Sequence, residues 1–168
     1  RGVLYFCYFT PAGGEFPKGG AIIARDGRRT RHYGEAQRIN AELKALGPTL
    51  MQLTSTGVYR VCEEAGDDPE TLLNGTPLTD LTRASDDPPL DVLVGVFRHA
   101  DGRRAVLLNN YRFAYTAWPT VAFDVPAEQV MEVDKRTGEV APVIDDSPDM
   151  EGLQVSLGAG DGRLFLLP

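Results

Sequence analysis

At 168 residues, 42% of them apolar and 24% charged, the chain has enough material for one packed domain, or a small domain plus an appendage, and too balanced a composition for disorder. A formal net charge of -7 repels phosphate backbones, and the one basic cluster (Arg25, Arg28, Arg29, Arg31) has no interleaved aromatics, which argues against a nucleic-acid partner. The opening apolar run is too short to span a bilayer and lacks the basic flank and small-residue cleavage site of a secretory signal, so no membrane partner is expected and no compartment is assigned.

Residues 3–9 read Val-Leu-Tyr-Phe-Cys-Tyr-Phe and break at Thr10-Pro11-Ala12-Gly13-Gly14. Unbroken apolar character predicts a strand covered on both faces, as in a parallel sheet. Such a strand needs neighbours, yet the chain runs on into a Gly/Pro-rich loop with Phe16-Pro17 as its bulky point, a short extended piece at 21–24 and an Asp26-Gly27 turn. Thr30 is placed to cap a helix running to about Leu46, with Tyr33, Ala36, Ile39, Leu43 and Leu46 on one apolar stripe and Gly47-Pro48 as its stop.

From residue 50 onward the pattern changes to short strands, expected at 57–63, 90–98, 103–109, 121–125, 129–133, 139–143, 153–157 and 163–167. Asp101-Gly102, Thr137-Gly138 and Asp161-Gly162 sit between apolar runs at hairpin distance. The acidic, Pro/Gly-rich stretch 64–89 reads as a surface excursion with short strands near Leu72 and Leu78. The expected fold is therefore mainly β: an antiparallel β-sandwich over 51–168, preceded by one strand-loop-helix unit over 1–50. One βα unit ahead of a different architecture reads as the last unit of a larger barrel, and hence as a fragment. The absence of a Met at position 1 agrees with that expectation.

The segment Asp26-Gly27-Arg28-Arg29-Thr30-Arg31-His32-Tyr33, continued by Arg38-Ile39-Asn40-Ala41-Glu42-Leu43, makes residues 3–50 resemble the end of the catalytic barrel in clan A glycoside hydrolases, especially family 42 β-galactosidases. The ending 160–167, Gly-Asp-Gly-Arg-Leu-Phe-Leu-Leu, looks like the last strand of the accessory domains behind such barrels. The resemblance implies a C-terminal part of a glycoside hydrolase that braces the barrel. The acid and nucleophile carboxylates of such enzymes come from the fourth and seventh barrel strands, so no catalytic residue is expected here. Tyr8 falls where those enzymes commonly have a Trp at the floor of the sugar subsite. Tyr8 and Phe9 would emerge at the C-terminal end of the strand, where such barrels keep their active sites.

Other chemistry finds little footing. His32 and His99 stand alone, and the acidic loop Asp145, Asp146, Asp149 and Glu151 matches no calcium-loop spacing, so neither metal nor cofactor is expected. Cys7 and Cys62 form no CxxC and read as buried free thiols. Tyr111, Phe113 and Tyr115 alternate, with Trp118 just beyond, a set able to stack on sugars or to pack into a core or against the barrel. Tyr8, Phe9 and Trp118 are thus the candidate carbohydrate-binding residues. A free-standing carbohydrate-binding or adhesion module, and an assembly domain forming a homo-oligomer through residues 3–9, are the alternatives.

Overall fold

A computed structural model describes residues 3–5, 7–11 and 20–168; the expected loop around Phe16-Pro17 and Phe6 of the expected strand lie outside the described residues. One long helix, α1 (Arg31–Leu50), leads into β1 (Leu53–Cys62), the single-turn helix α2 (Pro69–Leu72), β2 (Leu78–Thr82), β3 (Asp91–His99), β4 (Arg104–Asn110), β5 (Thr120–Phe123), β6 (Met131–Val133), β7 (Val140–Pro142), β8 (Leu153–Gln154) and β9 (Gly162–Leu167). Among the described residues every strand pairing is antiparallel: a six-stranded sheet in the order β1-β3-β4-β9-β6-β7 and a three-stranded sheet in the order β2-β5-β8. The chain is mainly β with one long helix.

The alternation of the central strands explains the layering. Val92, Val94 and Val96 of β3, Val106 and Leu108 of β4, and Phe165 and Leu167 of β9 turn one way, where they meet Leu78, Leu81 and Val121 of the smaller sheet in one buried core. The Phe165 ring, fully buried, lies 5.6 Å from that of Phe123 across this core. On the other face of the six-stranded sheet, Leu53, Ala105, Val133, Leu164 and Leu166 form a second cluster, against which Leu46 and Leu50 of α1 pack. Burying each large aliphatic side chain contributes about 1.5 to 3 kcal/mol, so both faces of this sheet are bound into the fold.

The helix departs from expectation at both ends. Thr30 makes no cap: its hydroxyl donates to the carbonyls of Ala21 (2.7 Å) and Ile22 (3.0 Å), tying the preceding loop down instead. Gly47-Pro48 does not stop α1, which continues to Leu50. Pro48 forfeits one helical hydrogen bond, but its fixed φ suits a helix, and the extra turn carries Leu50 onto the sheet beside Leu46. The apolar stripe is only half used: Ala36 is buried and Leu43 half-buried, but Ile39 is 42% exposed, so the expectation that Ile39 is covered is overturned.

Among the described residues of 3–9 no strand forms. Only an isolated parallel bridge joins Phe9 to Ile23, and Cys7 takes a left-handed φ of 58°, which breaks an extended path. Leu4 is 95% exposed, and Val3, Tyr5, Tyr8 and Phe9 are exposed too, so the expected two-sided burial is absent here. Cys62 is buried and Cys7 half-buried, both as free thiols. Two further differences are local. Leu72 lies in α2, capped by Asp68, rather than in a strand. The turn at Asp161-Gly162 is not a hairpin, because β8 pairs with β5 while β9 pairs with β4 and β6.

Candidate functional site

Tyr8 and Phe9 sit on the N-terminal segment beside α1. The Tyr8 carbonyl accepts from the Ile23 amide at 2.9 Å, and the Thr10 amide donates to the Ile23 carbonyl at 3.0 Å, so the segment is held while the Tyr8 and Phe9 side chains stay open. The Tyr5 hydroxyl reaches the Asn40 side chain at 3.0 Å, fastening the segment to the helix face. A groove of about 640 Å³ opens beside it, lined by Val3, Leu43, Leu50, Met51 and Phe97 among others. Trp118 lies elsewhere, just before β5, and is 40% exposed. Among the described residues no ring contact joins it to Tyr8 or Phe9.

The aromatic run after β4 is a loop rather than a strand, so its rings do not share a strand face. Tyr111 and Phe113 nevertheless stand together, centroids 6.4 Å apart and planes tilted by 46°. Tyr115 turns inward and its hydroxyl donates to the Pro89 carbonyl. Beneath the pair lies a charged network that sequence reasoning missed. Arg60 of β1 grips the buried Asp91 of β3 with two bonds of 2.8 and 2.9 Å, and its guanidinium lies 4.5 Å over the Tyr111 ring. Arg112 pairs with Glu64, and its Nε, 3.4 Å from Asp91, is buried without a hydrogen bond. The hydrogen bonds from Arg60 hold the Asp91 carboxyl below the usual range, and the bond to Glu64 raises the Arg112 guanidinium. One sequence signal points here: a polar Asn109-Asn110 closing an apolar strand ahead of alternating aromatics.

Several other carboxylates are engaged as well. Arg163 reaches Glu132 through two bonds of 2.8 and 2.5 Å and Asp146 through a third of 2.6 Å, on the wall of a cleft of about 480 Å³ between β6, β9 and the acidic loop. Burial pushes the Asp146 carboxyl up, but hydrogen bonds from the Ser156 amide and hydroxyl and the charge of Arg163 outweigh it and leave it lowered. Asp145 accepts from the amides of Ser147 and Gln154. His32 lies 2.6 Å from Glu35 and His99 2.7 Å from Asp101. Glu132, Asp146, Glu35 and Asp101 are thus each held by a basic side chain. No protein-family model, curated protein or solved structure matches the chain.

Proposed function

We propose that this chain is the non-catalytic accessory part of a glycoside-hydrolase-like protein, a β-sandwich that braces a catalytic barrel through residues 3–50 and does no bond-breaking itself. The observation that carries this reading is the uncovered apolar side of the N-terminal unit: Leu4 at 95%, Tyr8 at 60%, Phe9 at 50% and Ile39 at 42% exposure. A helix that packs one edge of its stripe on its own sheet and leaves the other edge and an adjoining apolar segment open has the form of an element sandwiched between two bodies. The Asp26-Gly27 turn leading into α1 supports the resemblance to the end of a barrel, while the missing Thr30 side-chain cap departs from it. Tyr8 and Phe9 would then line the mouth of the barrel, beside the sugar.

The coding DNA upstream of the Arg1 codon tests the reading. An in-frame series of strand-helix repeats, with an acidic residue at the ends of two of the strands, is the expected result. An in-frame stop codon a few codons upstream would overturn it.

A further inference from the structure

The loop after β4 is held with unusual completeness. Asn110 is fully buried; its Nδ2 donates to the carbonyls of Tyr115 (2.9 Å), Leu157 (3.1 Å) and Gly158 (3.2 Å), while its Oδ1 accepts from the Arg112 amide at 3.0 Å. The Tyr111 amide donates to the Asp91 carbonyl at 2.8 Å, and the Arg112 carbonyl accepts from the Gly160 amide at 2.7 Å. Residues 110–112 are therefore pinned to β3 and to the loop before β9 at once. A loop fixed this way has little entropy left to lose when something binds it.

What the pinned loop displays is apolar. Phe113 is 84% exposed and Tyr111 43% exposed. Phe113 rests over Gly160, where an added Cβ would come within 3.4 Å of its ring. Packing does not account for a phenyl ring placed in water directly after a pinned backbone, since its exposure forgoes the burial that stabilises core aromatics. One face of Tyr111 is taken by Arg60 and part of Phe113 rests over Gly160, which leaves the other side of each ring open.

The polar surroundings narrow the ligand. Arg60 is neutralised by Asp91 and Arg112 by Glu64, so the two cations and two carboxylates around the rings balance. A phosphate, a polyanion or a polycation finds no net charge to answer its own. The apolar C–H face of a pyranose fits a ring, and its hydroxyls would have the half-exposed Glu64 carboxylate, paired with the Arg112 between the two rings in sequence, as an acceptor. Two rings tilted by 46° cannot lie flat under one rigid plane, but they can each take one of two successive sugars that are rotated along a chain.

We propose that Tyr111 and Phe113 form a binding platform for a neutral polysaccharide, contacting two consecutive pyranose units. The platform is on a different part of the chain from the bracing surface and does not depend on it. The test is affinity electrophoresis of the full chain through native gels containing soluble galactan, xyloglucan or galactomannan, with dextran sulfate as the charged comparison. Retardation is expected in at least one neutral gel and not in dextran sulfate. Phe113→Ala and Tyr111→Ala should each weaken it about tenfold, while Leu4→Ser leaves it unchanged. Thermal melts of the variants are measured alongside, and Tyr111→Ala serves if Phe113→Ala melts early. Unchanged mobility in all three neutral gels, retardation by dextran sulfate alone, or retardation that survives both ring substitutions would overturn the platform while leaving the bracing role untouched.

Discussion

The carbonyl oxygen of Ala45 in α1 occupies the space beside Gly138: a Cβ built on that glycine would lie 2.5 Å from it. The turn between β6 and β7 thus tucks under the helix, and Gly138 meets two demands at once, a left-handed φ of 78° and the close approach of another backbone. Gly138→Ala should therefore cost about 2 kcal/mol or more, because the helix must shift as well as the turn. Gly102 in the β3-β4 turn also has positive φ, 98°, but nothing lies within 4 Å of its missing Cβ. Gly102→Ala should cost about 1 kcal/mol, the conformational part alone. Equal losses for the two in urea unfolding would show that α1 does not rest on the β6-β7 turn.

Asp91→Asn removes the charge that Arg60 and Arg112 share. Asp91 is nearly fully buried while the Arg60 side chain is half in water, which tempers the expected loss at neutral pH to about 2 kcal/mol. Its folded-state pKa is depressed, chiefly by the hydrogen bonds from Arg60, so this stabilisation is complete above the unfolded value of about 3.9 and is lost as pH falls through the lower folded value. The stability gap between the natural chain and Asp91→Asn, measured by urea unfolding, should be wide at neutral pH and narrow toward the acid end. A gap that widens on acidification would contradict the assignment.

Much of the β region is legible in the sequence because period-two alternation and turn chemistry are local signals. Expected strands at 90–98 and 103–109 correspond to Asp91–His99 and Arg104–Asn110, joined through Asp101-Gly102 as the turn residues predict. Pairing across sheets is not legible: Asp161-Gly162 has hairpin residues, but whether flanking strands pair depends on partners distant in sequence. The end of α1 escapes a local reading because Leu50 gains its burial from the sheet, a tertiary term that overrides the stop at Gly47-Pro48. At the candidate site the aromatics are visible in the sequence and the Arg60-Asp91 clamp is not, since 31 residues separate its members and only the β1-β3 register brings them together. The run 3–9 reads as doubly covered from composition alone, whereas Val3, Leu4, Tyr5, Tyr8 and Phe9 are exposed, because apolar composition reports a preference for burial and not a partner.

The purified chain should hydrolyse no aryl glycoside above background. Glu132 and Asp146 both line one cleft, but each accepts hydrogen bonds from Arg163, which occupy the carboxylates and leave neither free to act on a leaving group. Release of a chromogenic phenol across a panel of gluco-, galacto-, manno- and xylosides checks this. Turnover that disappears in Glu132→Gln or Asp146→Asn would place the catalytic pair within this chain and end the accessory reading.

Expressed alone, the chain should self-associate through the open side of its N-terminal unit. Leu4, Tyr8, Phe9 and Ile39 are exposed together with the groove beside Leu43 and Met51, and apolar surface of this kind left in water favours pairing with a second copy, most simply about a two-fold axis. Leu4→Ser combined with Ile39→Ser should shift the mass seen by light scattering to that of a monomer. Because both side chains are exposed in the single chain, the double substitution should change the stability of the monomer by no more than about 0.5 kcal/mol. Phe165→Ala, emptying the core between the two sheets, is the contrast: it should cost about 3 to 5 kcal/mol without abolishing association in whatever fraction stays folded. A natural chain already monomeric at high concentration would mean that this apolar side does not drive self-pairing.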